Sequence, residues 1–285
     1  MDRRSFILAS LASSLPSVAF ADFSRFRERI GRDNRWGETS IKGKSEFQYG
    51  PHPLQSLDVY WPSPFVTGKP IVFMVHGGGW KRGDKDSKNI VDNKVPFFHK
   101  KGWGFVSTAY RLLPEAQLET QIQDVISSIR FIQNRYPESP LVLMGHSAGA
   151  HLVGWIVSHR PDSIKLKPWK GSVLLDSAAL DVKEIMERPH FRLYDDPFGS
   201  DPVRWKELSP YWVLESGVAP ILSIYSNKRD DSRWQSEKMQ EKAQSLNVHF
   251  KIQGVDLTHG EINQLVGEDM VLNVALDSFF GFLQI

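Results

Sequence analysis

The sequence predicts an α/β protein: a mostly parallel, doubly wound sheet with helices on both faces and a small cap insertion. Short apolar runs rich in β-branched residues, such as Ile71–Val75 and Leu141–Met144, suit parallel strands buried on both faces. Between such runs lie stretches with helical spacing. The clearest runs from Leu118 to Tyr136, where Ile122, Val125, Ile126, Ile129 and Ile132 recur with polar residues between them. The two patterns alternate along the chain, as strands joined by helical crossovers do.

The chain starts with Met1-Asp2-Arg3-Arg4, then a short apolar core around Phe6–Ala12, then Ala19-Phe20-Ala21. A basic start, a short apolar core and a small-x-small end form a secretory signal peptide over residues 1–21. The Arg-Arg pair before Ser-Phe-Ile resembles a twin-arginine export signal. The mature chain is expected to begin at Asp22 and to be exported, periplasmic or secreted. Residues 22–44 read as a polar, basic arm.

Phe47–Tyr49 and Leu57–Trp61 read as strands separated by the Gly50-Pro51-His52-Pro53 break. Ile71–Val75 is a central strand that ends in His76-Gly77-Gly78-Gly79-Trp80. Three glycines in a row let the backbone approach a ligand closely and turn N–H groups inward, which is what an oxyanion hole needs. A phosphate cradle is disfavoured, since no Gly-Lys-Ser/Thr ending follows. Trp103–Ser107 is the next strand and Leu118–Tyr136 the next helix, stopped by Pro137 and Pro140.

Leu141–Met144 then leads into Gly145-His146-Ser147-Ala148-Gly149 and an amphipathic stretch. Gly-x-Ser-x-Gly between a buried strand and a helix is a nucleophile elbow: the turn is too sharp for side chains at its flanks, and it holds the Ser hydroxyl clear of the backbone at a helix N-terminus. Ser172–Leu175 is a short buried strand that ends at Asp176. Residues 181–216, rich in charge and aromatics, break the rhythm and read as the cap, made of short helices. Pro220–Tyr225 is a strand, Trp234–Leu246 a helix and Val248–Ile252 the last strand. Glu268–Leu283 is a C-terminal helix with Met270, Val271, Val274, Phe279 and Phe280 on its packing side.

Length and composition fit this plan. The 285 residues suit one large domain. A net charge of +2 gives no argument for nucleic acid or an anionic membrane. No cysteine is present, which excludes disulfides and thiolate catalysis. After the N-terminus no apolar run is long enough to form a membrane anchor.

A Ser hydroxyl needs a base in reach, and the base needs an acid to fix its tautomer. Both are expected in loops at the carboxyl ends of later strands, in the order Ser, acid, His. Of the nine histidines, His76 and His146 belong to the two motifs, and His151 and His159 point away on the elbow helix. His52 and His99 come too early, His190 lies in the cap, and His249 lies inside a strand. His259, in Leu257-Thr258-His259-Gly260-Glu261, remains as the base. The acid is expected after Ile221–Tyr225, where Asp231 is favoured with Asp230 as the alternative. Asp176, Asp195, Asp196 and Asp256 rank behind them, and Asp124 reads as a structural anchor.

Together these stretches, with Gly83-Asp84, Tyr110–Glu115, Gln121–Asp124 and Thr258-His259-Gly260, resemble the α/β-hydrolase superfamily. The resemblance is to its carboxylesterase branch of hormone-sensitive-lipase-like and BD-FAE-type esterases, related to kynurenine formamidases. It implies Ser147 as nucleophile and the N–H groups of Gly78, Gly79 and Ala148 as oxyanion donors. It also implies a serine ester hydrolase acting through an acyl-enzyme on small-molecule esters, short-chain or small aromatic, with no metal or organic cofactor. The chain departs from the family at Ser226-Asn227-Lys228-Arg229-Asp230-Asp231, where a Gly is common before the acid. Two other functions compete: hydrolysis of an N-formyl aromatic amide, and non-catalytic binding on a hydrolase scaffold. A binding protein usually lacks a triad or oxyanion residue, and this chain has a candidate for every role.

Overall fold

The computed structural model describes residues 37, 39–64 and 66–285. The signal-peptide expectation for residues 1–21, and most of the basic arm, lie outside them. The described residues hold one eight-stranded sheet: β1 (Ser45–Gln48), β2 (Ser56–Tyr60), β3 (Ile71–Val75), β4 (Gly104–Thr108), β5 (Leu141–His146), β6 (Gly171–Leu175), β7 (Ile221–Ser226) and β8 (Phe250–Val255). Their order across the sheet is β1-β2-β4-β3-β5-β6-β7-β8. β1 pairs antiparallel with β2, and β2 with β4; all other pairs are parallel. The expected fold class is therefore observed, with the antiparallel part confined to one edge.

The central strands read as continuous apolar runs because both faces are covered. On one face pack α3 (Leu118–Arg135) and α4 (Ala148–Val157). On the other pack α1 (Lys88–Val91), α2 (Lys94–Lys100) and α11 (Met270–Phe282). α3 buries Ile122, Val125, Ile126, Ile129 and Ile132, as its spacing predicts. Its buried Asp124 accepts from Gln55 Nε2 and from both the backbone and the guanidinium of Arg111, so its anchoring role is structural. No helix among the described residues is long and apolar enough to cross a membrane.

α11 corrects one expectation. It buries Leu272, Ala275, Leu276, Phe279 and Phe280, while Met270, Val271 and Val274 face outward, Met270 at 75% exposure. The helix is apolar on two sides, so composition alone does not choose its phase. Its start decides the phase: Asp269 caps the helix by accepting from Leu272 N–H. The last strand also starts later than expected. Asn247 takes a left-handed φ of 54° and Val248 N–H bonds back to Ala243 O, so Val248 and His249 close the preceding helix before β8 begins.

Between β6 and β7 the chain forms α5 (Val182–Met186), a 3-10 turn (Arg192–Tyr194), α6 (Asp195–Phe198), α7 (Pro202–Glu207) and α8 (Pro210–Val213). Asp181 and Asp201 cap α5 and α7, and proline begins α7 and α8. Phe198 is fully buried and meets Trp80 edge-on at 5.0 Å. Through that contact the segment docks on the glycine loop after β3.

Candidate active site

β5 ends at His146, and Ser147 turns the chain into α4 with φ 56° and ψ −121°. A non-glycine residue in that conformation is strained and must be held by its surroundings. Here Ser147 N–H bonds to Leu175 O, and Ser147 O accepts His151 N–H at the start of the helix. The flanking glycines are required by contact. A Cβ on Gly145 would lie 2.3 Å from Gly149 O, and one on Gly149 would lie 2.3 Å from Val75 O. The Ser147 side chain is left half-buried, at the wall of a cleft.

The glycine loop lines the same cleft. Gly78 and Gly79 have φ values of 121° and 60°, and Trp80 follows at 60°. Gly78 O accepts from Lys81 and Arg82 N–H, which closes the turn. From below, His76 stacks on Tyr110 at 4.5 Å and Tyr110 Oη donates to His76 O. From the side, Gln121 Nε2 donates to Trp80 O. Trp80 Nε1 donates to His151 Nδ1 and His151 Nε2 donates to Leu208 O, which fixes one tautomer; burial pushes that imidazole down to about 4, so it stays neutral. Ala148 opens α4, so its N–H has no acceptor inside the helix.

His259 sits at the first position of α10 (His259–Gln264) rather than in a free loop. Thr258 and Glu261 form a reciprocal capping box around it. His146 Nε2 donates to His259 O at 2.9 Å, and the two rings lie 4.5 Å apart. Ser147 Oγ makes no hydrogen bond to His259 among the described residues. Such a bond often tightens only in the complex.

The carboxylate that touches His259 is neither Asp231 nor Asp230 but Asp176. His259 Nδ1 lies 2.6 Å from Asp176 Oδ2, at the end of β6. Asp231, the favoured candidate, instead accepts from Arg229 Nη2 at 3.0 Å and from Ser232 N–H. Asp230 is 88% exposed and pairs with Arg233. The physical reason is the start of α9 (Asp230–Ser245), four residues earlier than its apolar pattern suggests. That start places both aspartates in the first helical turn, where carboxylates are favoured by the helix dipole. Asp176 is held in a left-handed conformation, φ 50°, and its carboxylate is fully engaged. Oδ1 accepts from Ser226 N–H and Ser232 Oγ, and Oδ2 from His259 and Arg229 Nη1. Burial opposes its ionisation, but the His259 hydrogen bond, the Arg229 charge and the Ser232 hydroxyl together hold it well below the usual carboxylate range. The sequence signal for it was an Asp directly after a short buried strand, and β6 lies next to β5, which leads into Ser147.

Two lobes of about 250 Å³ each open on either side of Ser147 and His259, with Gly79 and Leu193 lining both. One carries more polar side chains, among them Arg82, Asp84, Asn89 and Asn263. The other is lined by Trp80, Ala178, Ala179, Phe191 and Tyr194. Beneath the first lobe, Lys94 is buried and donates to Asn89 O and Asn263 O, tying α1 to the helix that carries His259. Burial lowers this amine to about 7. A neutral amine still has two N–H groups for the two carbonyls. The folded state sheds this proton at lower pH than the unfolded chain does. Stability from Lys94 is therefore expected to rise between about pH 7 and 10, by at most about 1.4 kcal/mol per pH unit. Urea unfolding of wild type and Lys94→Met at pH 7, 8 and 9 checks this. A difference between them that stays flat with pH would contradict it.

The BD-FAE family model matches residues 57–161. Kynurenine formamidase of Salmo salar is 31% identical over 257 residues, covering 82% of this chain and 80% of its own; that of Danio rerio is 27% identical over 240 residues with the same coverage. Among solved structures, esterase B of Lactobacillus rhamnosis superposes with a TM-score of 0.68 at 19% identity, over 94% of this chain and 96% of its own.

Proposed function

Since the chain belongs to the α/β-hydrolases, in the BD-FAE-type esterase branch that takes in the kynurenine formamidases, we propose that it is a serine hydrolase of short-chain or small aromatic esters, with Ser147, His259 and Asp176 as its triad. The observation that carries this reading is the 2.6 Å contact between Asp176 Oδ2 and His259 Nδ1, in the cleft that Ser147 lines. Ser147 Oγ attacks the carbonyl carbon as His259 Nε2 takes its proton. Asp176 accepts Nδ1–H and stabilises the imidazolium. The N–H groups of Gly78, Gly79 and Ala148 hold the oxyanion. His259 then gives the proton to the leaving oxygen, and water releases the acyl group by the same route. The lobe lined by Trp80, Phe191 and Tyr194 favours a small or flat apolar group.

A second reading has specific support. The Salmo salar and Danio rerio relatives are kynurenine formamidases, and the same machinery cleaves an N-formyl aromatic amide when His259 protonates the leaving nitrogen. The N-terminal 21 residues fit export of the mature enzyme, which speaks for the ester reading over a metabolic amide hydrolase.

The first test needs no substrate. Wild type treated with a fluorophosphonate is expected to gain one adduct by intact mass, and Ser147→Ala none. Well-folded wild type that gains no adduct would leave the non-catalytic reading standing. Turnover of p-nitrophenyl acetate against an N-formyl anilide then separates the two enzyme readings.

A further inference from the structure

Arg229 occupies the loop after β7, where the acid was expected, and its guanidinium reaches into the site. Nη1 lies 2.7 Å from Asp176 Oδ2 and 2.8 Å from His259 Nδ1, while Nη2 donates to Asp231 at 3.0 Å. Its side chain is only 25% exposed and lines the apolar lobe beside Ser147. A triad on this scaffold has no need of a fixed cation, so this placement calls for an explanation.

We propose that Arg229 is a positioning residue: it shares the Asp176 carboxylate with His259 and, with Asp231 as its counter-ion, holds that carboxylate at Nδ1 and places a fixed positive charge beside the ring that shuttles the Ser147 proton. The inference rests on the serine-hydrolase reading above. Asp176 Oδ2 serves two donors at once. The carboxylate is a stronger acceptor than an imidazole nitrogen and lies closer to Nδ1 than the guanidinium does, which assigns the shared proton to Nδ1 and leaves Nε2 as the free base. When the Ser147 proton arrives at Nε2, the ring becomes an imidazolium within 2.8 Å of a guanidinium nitrogen. That like-charge contact disfavours the charged ring and returns its proton to the leaving group. Asp231, 41% exposed, offsets part of the Arg229 charge. The other groups facing His259 are His146 from the end of β5, with Lys94 acting on His146 from α2, and Ser147. Facing Arg229 from the insertion is Tyr194. Of these groups, Arg229 is the cation in hydrogen-bonding distance of the His259 ring, at Nδ1.

The test is the rate of Ser147 phosphonylation by a fluorophosphonate as a function of pH, in wild type, Arg229→Gln, Arg229→Lys and Asp231→Asn. Removing the cation is expected to move the acid limb of that profile to higher pH by about one unit. Removing its counter-ion is expected to move the limb the other way, by about half a unit. Arg229→Lys, which keeps the charge, stays near wild type. A purely structural role would lower rates without moving the limb, and urea unfolding of each variant reports any loss of folding separately. Limbs that coincide in all four proteins, or move the same way in Arg229→Gln and Asp231→Asn, overturn the inference while leaving the serine-hydrolase reading intact. Wild type that reacts at no pH overturns both.

Discussion

Asp176→Asn is expected to lower kcat on the order of 10⁴-fold, for whichever ester or amide the protein accepts. An amide at this position offers Nδ1 a donor as readily as an acceptor. It thereby stabilises the tautomer whose proton is on Nε2, and that imidazole does not accept the Ser147 proton. The loss also removes the negative charge that stabilises the imidazolium. The contrast that makes the prediction specific is Asp231→Asn, expected to stay within about tenfold, because its carboxylate is partly exposed and touches Arg229 rather than His259. The measurement is kcat on p-nitrophenyl acetate, with the fluorophosphonate adduct rate as a substrate-independent check. An Asp176→Asn protein that keeps its activity, beside an Asp231→Asn protein that loses it, would return the acid to the loop after β7.

Gly149→Ala is the second large effect, and it acts on folding. The added Cβ would lie 2.3 Å from Val75 O and 2.4 Å from His76 O, two backbone atoms of β3 and its end. No rotamer change relieves a backbone clash, so the elbow helix must move off the sheet or β3 must shift. Overpacking of this kind costs upward of about 3 kcal/mol. The control is Gly154→Ala, in the same helix. There the new Cβ meets its nearest neighbour at 3.3 Å, and that neighbour is a side-chain atom of Pro210. Helix propensity favours that change, so stability is expected within about 1 kcal/mol of wild type. Urea midpoints for both variants decide the matter. Equal losses in the two would mean that α4 simply tolerates no substitution, and that the close approach of β3 is not the cause.

Much of the site was legible because its parts are local. The elbow needs two glycines around a serine between a strand and a helix, and all of that lies within a few consecutive residues. The same holds for the three glycines after β3 and for the Thr258–Glu261 capping box that presents His259. Strands β3 and β5 announced themselves because burial on both faces leaves continuous apolar runs, and β6 and β7 differ only by a buried serine within mostly apolar runs. The doubly wound fold class follows from the alternation of those runs with helical periods.

The tertiary structure alone decided what depends on separate segments meeting. Asp176 and His259 are 83 residues apart in the chain, and their 2.6 Å contact follows from the order β6-β7-β8, which leaves the carboxyl ends of β6 and β8 one strand apart. Asp176, Asp230 and Asp231 are chemically alike, so composition had no means of ranking them. The early start of α9 turned two of them into helix-end charges, and the sheet order brought the third to the base. The phase of α11 was misread from the sequence for a related reason: with apolar residues on two sides, only its cap and its neighbours select the buried face. Chemistry carried by one short stretch is written in the sequence. Partnerships across the sheet depend on relative distances that no local pattern contains.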